Sequence, residues 1–161
     1  MEARPRRGRD GQRDDQLRWL KQSEAGAVES ELSLLLSETR GVCEKLASTS
    51  CGLLTHQLVL WQPRWLYAEI DGICYQKVSV SEKPVGPPKK LPFATVSEII
   101  ELDCSEFVVV TTSARGYRRV EKSTTFKAVD ELACEVLVHN LTQLLAYYRE
   151  RIGHGISDET K

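Results

Sequence analysis

Apolar positions along the chain follow two rhythms. From Leu17 to Leu36 they recur mostly at spacings of three and four, through Leu20, Val28, Leu32 and Leu35. That spacing places them broadly on one face of a helix. Asp14 or Asp15 can cap its first turn, Gly26 is expected to split it into two helices, and Gly41 is a stop signal. The pattern predicts a helical segment over residues 14–48, preceded by a disordered Arg-rich tail over residues 1–13. The face carrying Leu32, Leu35 and Leu36 needs a cover. It either packs on the rest of the chain, binds a partner helix or associates with a second copy. The many Glu residues disfavour a membrane-surface helix.

Beyond residue 53 the period falls to two. Leu58, Val59, Leu60 and Trp61 are β-prone, Pro63 is expected to break them off, and a strand resumes from Trp65 to Ile70. Leu66, Ala68 and Ile70 fall on one face and Trp65, Tyr67 and Glu69 on the other. Asp71-Gly72 then predicts a hairpin with a type I′ turn, and residues 73–80 the returning strand. Residues 81–92 carry Pro84, Pro87, Pro88 and Pro92 and predict a loop, because proline cannot join a central ladder. Strands are expected over residues 93–102 and 106–112, the latter with the β-prone run Phe107, Val108, Val109 and Val110. A turn over residues 113–116 and two short strands over 117–122 and 124–129 follow. The spacing is that of a small sandwich or barrel of seven strands.

The closing element predicts a helix. Asp130 is its N-cap, and Leu132, Val136, Leu137, Leu141, Leu144, Leu145 and Tyr148 form a broad apolar stripe. Arg149 and Arg151 occupy the last turn and Gly153 the stop. The compact domain is expected over residues 53–153, with a disordered polar tail over 154–161.

The local sequence Arg64-Trp65-Leu66-Tyr67, then Asp71-Gly72, then Cys74-Tyr75-Gln76-Lys77 resembles the second and third strands of pleckstrin-homology (PH) domains of the phospholipase C type. Residues 91–102 and 107–111 are similar to the fourth and fifth. The resemblance implies an α+β fold: a bent seven-stranded antiparallel β-barrel or sandwich capped by a C-terminal α-helix, here with an extra N-terminal helical segment. Many PH helices carry a Trp in their first half; residues 133–138 offer no aromatic, so Trp65 or Phe107 is expected to fill that volume.

PH domains commonly grip phosphoinositide phosphates with basic residues on the first two strands and their connection, because charge-assisted bonds from Lys and Arg suit clustered phosphates. On the second strand Arg64 is in place, and Gln62 stands where another base would help. With the first strand read as residues 55–61, His56 is its only basic candidate, and the loop to the second strand looks too short for a pocket. Lys77, Lys83, Lys89 and Lys90 complete the candidate lipid-binding set, and Arg115, Arg118, Arg119 and Lys122 form a second basic loop beside Tyr117.

Charge narrows the function classes. The chain has 22 Lys and Arg against 23 Asp and Glu, and residues 53–153 hold 12 of each, so nucleic acid is not an expected partner and any positive patch is local. The five cysteines form no C-x-x-C pair and no histidine lies near one at zinc-ligand spacing, so no metal or cofactor is expected. Free thiols fit a reducing, cytoplasmic compartment. No apolar run is long enough to span a bilayer, and Met1-Glu2 excludes N-myristoylation for this start. Cys43 and Cys51 have no motif for lipidation beyond their place near a helix end. Neither a phosphate-cradling Gly-rich loop nor a nucleophile elbow occurs, so no enzyme is expected. The sequence therefore predicts a non-catalytic PH-like adaptor or scaffold. It would bind a protein partner at or near a membrane or cytoskeletal structure. The alternative is a peripheral membrane module that reads phosphoinositides or other anionic lipids through its basic loops.

Overall fold

The computed structural model describes residues 9–47 and 60–155. The chain divides into two compact units, residues 1–34 and 35–161.

Helix α1 runs Arg9–Glu38 as one continuous element. It starts earlier than residue 14 because its first turns are polar and show no apolar period to read. Gly26 does not split it: nothing lies near the position of a Cβ there, and one exposed helical glycine costs only about 1 kcal/mol. The helix ends well before residue 48. Thr39 closes it, donating from both its amide and its Oγ1 to the Leu35 carbonyl at 3.0 and 2.6 Å. Leu32 is buried, Leu35 and Leu36 are half-buried, and Leu34 is exposed.

Seven antiparallel strands form one sheet in the order β4-β3-β2-β1-β7-β6-β5. They are β1 Arg40–Leu46, β2 Trp61–Glu69, β3 Gly72–Val78, β4 Pro84–Pro92, β5 Val96–Glu101, β6 Glu106–Arg115 and β7 Arg118–Lys127. The C-terminal helix α2 spans Glu131–Gly155. The number of strands agrees with the sequence; their identities differ at four places, one of them β4, which the sequence reads as a loop. The first strand is Arg40–Leu46, read from sequence as helix, so the sheet begins upstream of residue 53. The expected first strand over 55–61 falls largely outside the described residues, as does His56, and its last residue Trp61 opens β2. The two short strands after residue 116 are one strand, β7, joined to β6 through Gly116 and Tyr117 with Arg115 opposite Arg118.

Both proline expectations are corrected by position in the sheet. Pro63 lies inside β2 opposite Glu44, but the ladder to β3 begins only at Arg64, so β2 has a single neighbour at that level. Residues 84–92 form a strand because β4 is an edge, where a missing N–H costs no ladder bond on the open side. The β2–β3 turn also differs from a type I′ turn at Asp71-Gly72. Its central residues are Ile70 and Asp71, neither at positive φ, and Gly72 already pairs with Glu69. Glycine is needed there for close approach: a Cβ would lie 2.8 Å from the Leu91 carbonyl oxygen of β4.

The sheet is strongly bent. β3 and β7 are three strand spacings apart, about 14 Å along a flat sheet. Yet Tyr75 of β3 and Phe126 of β7 meet edge-on with ring centroids 5.4 Å apart, and Phe126 stacks on Phe107 at 5.4 Å. Leu66, Ile73, Phe93, Phe107 and Phe126 fill the concave face. Asp130 caps α2, its Oδ1 accepting from the Ala133 amide at 2.7 Å. The helix closes the core with Cys134, Leu141, Leu144 and Leu145, while Leu132 and Val136 of the expected stripe are exposed. Cys134 in the first turns of α2 is buried, and Phe107 of β6 is fully buried against Phe126. At the other end of α2, Arg149 donates to the Val96 and Ser97 carbonyls of β5 at 3.1 and 2.9 Å.

Candidate functional site: a basic cavity at one end of the sheet

A cavity of about 360 Å³ opens where β1 ends, β2 begins, β3 ends and β4 begins. Each of these strands contributes one cation: Lys45, Arg64, Lys77 and Lys89. Tyr75, Gln76, Val85, Gly86 and Pro87 complete the lining, which contains no acid.

The wall on the β4 side is made by a register shift. Tyr75 pairs with Lys89 and Lys77 with Val85, so Gly86, Pro87 and Pro88 together face the single residue Gln76. Extra residues on one strand bend it away from its neighbour and open a concavity. Gly86 takes φ +75°, a conformation glycine adopts without strain, and its carbonyl accepts from Gln76 Nε2 at 3.4 Å. The prolines that read as a loop are therefore the shaped rim of the site.

Arg64 is held from behind. Its guanidinium donates to the Pro63 carbonyl at 2.8 Å and to Gln62 Oε1. Gln62 thus orients a cation instead of supplying one. Lys45 donates to the Leu46 carbonyl at 3.2 Å, and its ammonium stands 5.8 Å from the centroid of the Tyr75 ring. Burial lowers the Lys45 pKa, and repulsion from Arg64, Lys89 and Lys122 lowers it further. Burial raises the Tyr75 hydroxyl, opposed in part by Arg64. The cavity is thus a half-buried concentration of positive charge with no internal counter-ion, suited to a compact anion with several oxygens.

Of the sequence-nominated lipid-binding residues, Arg64, Lys77 and Lys89 line this cavity. Lys83 lies outside it in the exposed β3–β4 turn, where its amide donates to Ser79 Oγ at 3.3 Å. Lys90 points to the other side of β4. Its ammonium bonds Glu69 Oε2 at 2.6 Å and Asp71 Oδ1 at 2.5 Å, which raises its pKa well above the usual lysine range. Arg115, Arg118 and Arg119 cluster at the β6–β7 turn, and Lys122 lies further along β7, within electrostatic reach of Lys45. Lys45 is the residue the sequence reading missed, because residues 40–46 were absorbed into a helix. Thr39 and Gly41, followed by Val42-Cys43, were the available sign that a helix had ended and a strand begun. The β1–β2 connection spans residues 47–60, so it is not the short loop expected.

Cys43, opposite Arg64 on β1, is buried, and burial pushes its thiol up to about 12. That inert thiol is a poor lipidation target; Cys51 lies outside the described residues. Among the described residues no group of His, Cys, Asp and Glu is arranged to hold a metal ion, and no helix is long and apolar enough to cross a membrane.

No protein-family model matches the chain, and no curated protein matches it in sequence. Solved structures do. The PH domain of TgAPH superimposes with a TM-score of 0.50 at 9% identity, covering 72% of this chain and 89% of that one. The chain has the pleckstrin-homology fold. The N-terminal PH domain of human ARAP2 aligns at 17% identity over 78% of this chain and 87% of that one, with a TM-score of 0.48. The Slm1 PH domain, solved in complex with inositol-4-phosphate, aligns at 19% identity over 65% of this chain and 94% of that one, with a TM-score of 0.45. At these identities the likeness bears on the PH fold and leaves the ligand of this chain to its own residues.

Proposed function

We propose that this PH-fold chain is a non-catalytic module that takes a phosphorylated inositol headgroup, or a chemically equivalent phosphate cluster, into its basic cavity. The observation that carries this reading is the convergence of Lys45, Arg64, Lys77 and Lys89 from four successive strands on one acid-free concavity. Phosphate monoesters carry close to two charges each and three acceptor oxygens. They would satisfy several of these cations together and relieve the repulsion on Lys45. The protein-docking reading of the sequence rested on a missing basic cluster, and Lys45 removes that premise. The phospholipase C-like pattern of β2 and β3 is in keeping with the same reading.

Co-sedimentation of the full chain with liposomes of graded phosphoinositide content, at low and physiological salt, tests it. Headgroup-selective binding that survives physiological salt is expected. Binding that is absent, or that is erased by salt without headgroup preference, rejects it.

A second reading, docking of a protein partner, is favoured by one observation. Val129 and, at the start of α2, Leu132 and Val136 are 83%, 70% and 47% exposed. Loss of a captured partner on changing Leu132 to Asp, with liposome binding intact, would support it.

A further inference from the structure

Residues four apart on a helix lie along one ridge of its surface. On α2 the ridge that starts at Leu132 continues through Val136 to Asn140. Exposure falls along it, from 70% at Leu132 to 47% at Val136 and 6% at Asn140. The ridge is therefore open to solvent at one end and covered at the other. At the covered end Asn140 Nδ2 is buried and has no hydrogen-bond acceptor. A buried donor without a partner costs stability, and native folds keep few of them. The open end has one sign of charge. Residues 128–136, together with residues 101–106 at the end of β5 and in the turn after it, hold six acids and no Lys or Arg. The acids are Glu101, Asp103, Glu106, Asp130, Glu131 and Glu135. The two stretches adjoin: the Ala128 amide donates to the Ser105 carbonyl at 2.8 Å, and Glu101 is within electrostatic reach of Cys134. Among the described residues none of the six forms an ion pair. Lys127, opposite Glu106 in the ladder, holds its ammonium 5.5 Å from the centroid of the Trp61 ring. None of these residues lines the basic cavity.

We propose that the ridge from Leu132 to Asn140 is a docking site for an extended, basic segment of a partner protein. Two large apolar side chains of that segment cover Leu132 and Val136, Lys or Arg beside them faces the acids, and one backbone carbonyl accepts from Asn140 Nδ2. Each requirement has its own source. Apolar side chains left exposed together favour an apolar partner. The unneutralised carboxylates favour cations and repel an acidic segment or an anionic bilayer. The segment is extended because a helix uses its own interior carbonyls. The spacing agrees: four helical residues rise about 6 Å, and alternate residues of an extended chain are about 6.6 Å apart. This rests on the second reading above, docking of a protein at the start of α2, and names the chemistry of the partner.

The test screens the full chain against a soluble library of short peptides with leucine fixed at two alternate positions and the other positions varied. Peptides with Lys or Arg at the varied positions should be enriched over those with Gln or Glu. A selected peptide is then titrated by fluorescence anisotropy. Its affinity should fall with added salt. Leu132→Asp should weaken it by about 10-fold or more, and Asn140→Leu by about 5-fold. Glu131→Lys with Glu135→Lys should turn the preference toward acidic peptides. Asn140→Leu should hold or raise the melting temperature, because it removes a buried donor that has no partner in the free chain. Titration with a soluble inositol polyphosphate should be the same for Leu132→Asp, Asn140→Leu and the wild type. Leu132-dependent binding without a basic preference overturns the proposal and leaves the second reading standing. So does an Asn140→Leu variant that melts lower yet binds the peptide as the wild type does, which would make the amide a structural group. A screen that yields no peptide dependent on Leu132 rejects both.

Discussion

The ammonium of Lys45 on β1 stands 5.8 Å from the centroid of the Tyr75 ring on β3, reaching across the intervening strand β2 at the mouth of the basic cavity. The lysine is pressed by burial and by like charge, and an aromatic face is its main compensation. A residue placed that way serves a ligand better than it serves the fold.

Lys45→Met should therefore separate function from stability. Loss of one charge-assisted contact corresponds to about a 10- to 100-fold fall in affinity for an inositol phosphate. The melting temperature should hold or rise, because the substitution removes a desolvated charge facing Arg64 and Lys89. Calorimetric titration and a thermal melt of the same sample check both halves.

The same residue sets a pH dependence. Its folded pKa lies below the ordinary lysine value of 10.5, so the folded chain disfavours its charged form. Below the lowered pKa this costs stability; the cost is relieved as pH rises through it toward 10.5. A bound anion favours the ammonium and so acts in the opposite sense. Affinity should begin to weaken with rising pH below the ordinary lysine range, and binding near the lowered pKa should take up protons. Titrations in buffers of different ionisation enthalpy measure that uptake, and Lys45→Met should abolish it.

Adjacent lysines should behave differently. Lys89→Ala is expected to cost affinity about 10-fold or more, with little change in stability. Lys90→Ala should leave affinity unchanged and lower stability by about 1 kcal/mol, the scale of a partly exposed ion-pair network with Glu69 and Asp71. Urea melts and ligand titrations of the two variants distinguish them.

Gly72→Ala should destabilise the β3–β4 pairing. The new Cβ would meet the Leu91 carbonyl oxygen at 2.8 Å and the Pro92 Cα at 3.2 Å, both backbone atoms that cannot swing aside. A loss of about 1–3 kcal/mol is expected in urea denaturation. Because β4 forms the cavity rim, ligand affinity should fall as well.

The β5–β6 turn carries strain that can be relieved. Cys104 and Ser105 sit at φ +62° and +63°, where a Cβ is unfavourable. Cys104→Gly should raise stability by about 1 kcal/mol, and Cys104→Val should lower it by at least as much. The exposed Cys104 thiol should also react quickly with a thiol reagent, in contrast to buried Cys43, Cys74 and Cys134. Substitution at position 104 should remove one equivalent from the fast phase.

Local pattern in the sequence determined much of this molecule. Alternation marked β2 and β3, the valine run marked β6, and Asp130 with its leucines marked α2, because each depends on neighbours a few residues away. Arg64, Lys77 and Lys89 were legible as cations on or beside strands. Tertiary structure decided the rest. Residues 40–46 became β1 because β2 and β7 offer them ladders from elsewhere in the chain, and no local period records that. Pro84 to Pro92 became a strand only because the fold puts them at an edge. Lys89 and Lys90 are indistinguishable in sequence. The pleat sends one to the cavity and the other to Glu69 and Asp71, and a one-residue difference in register would have exchanged their roles.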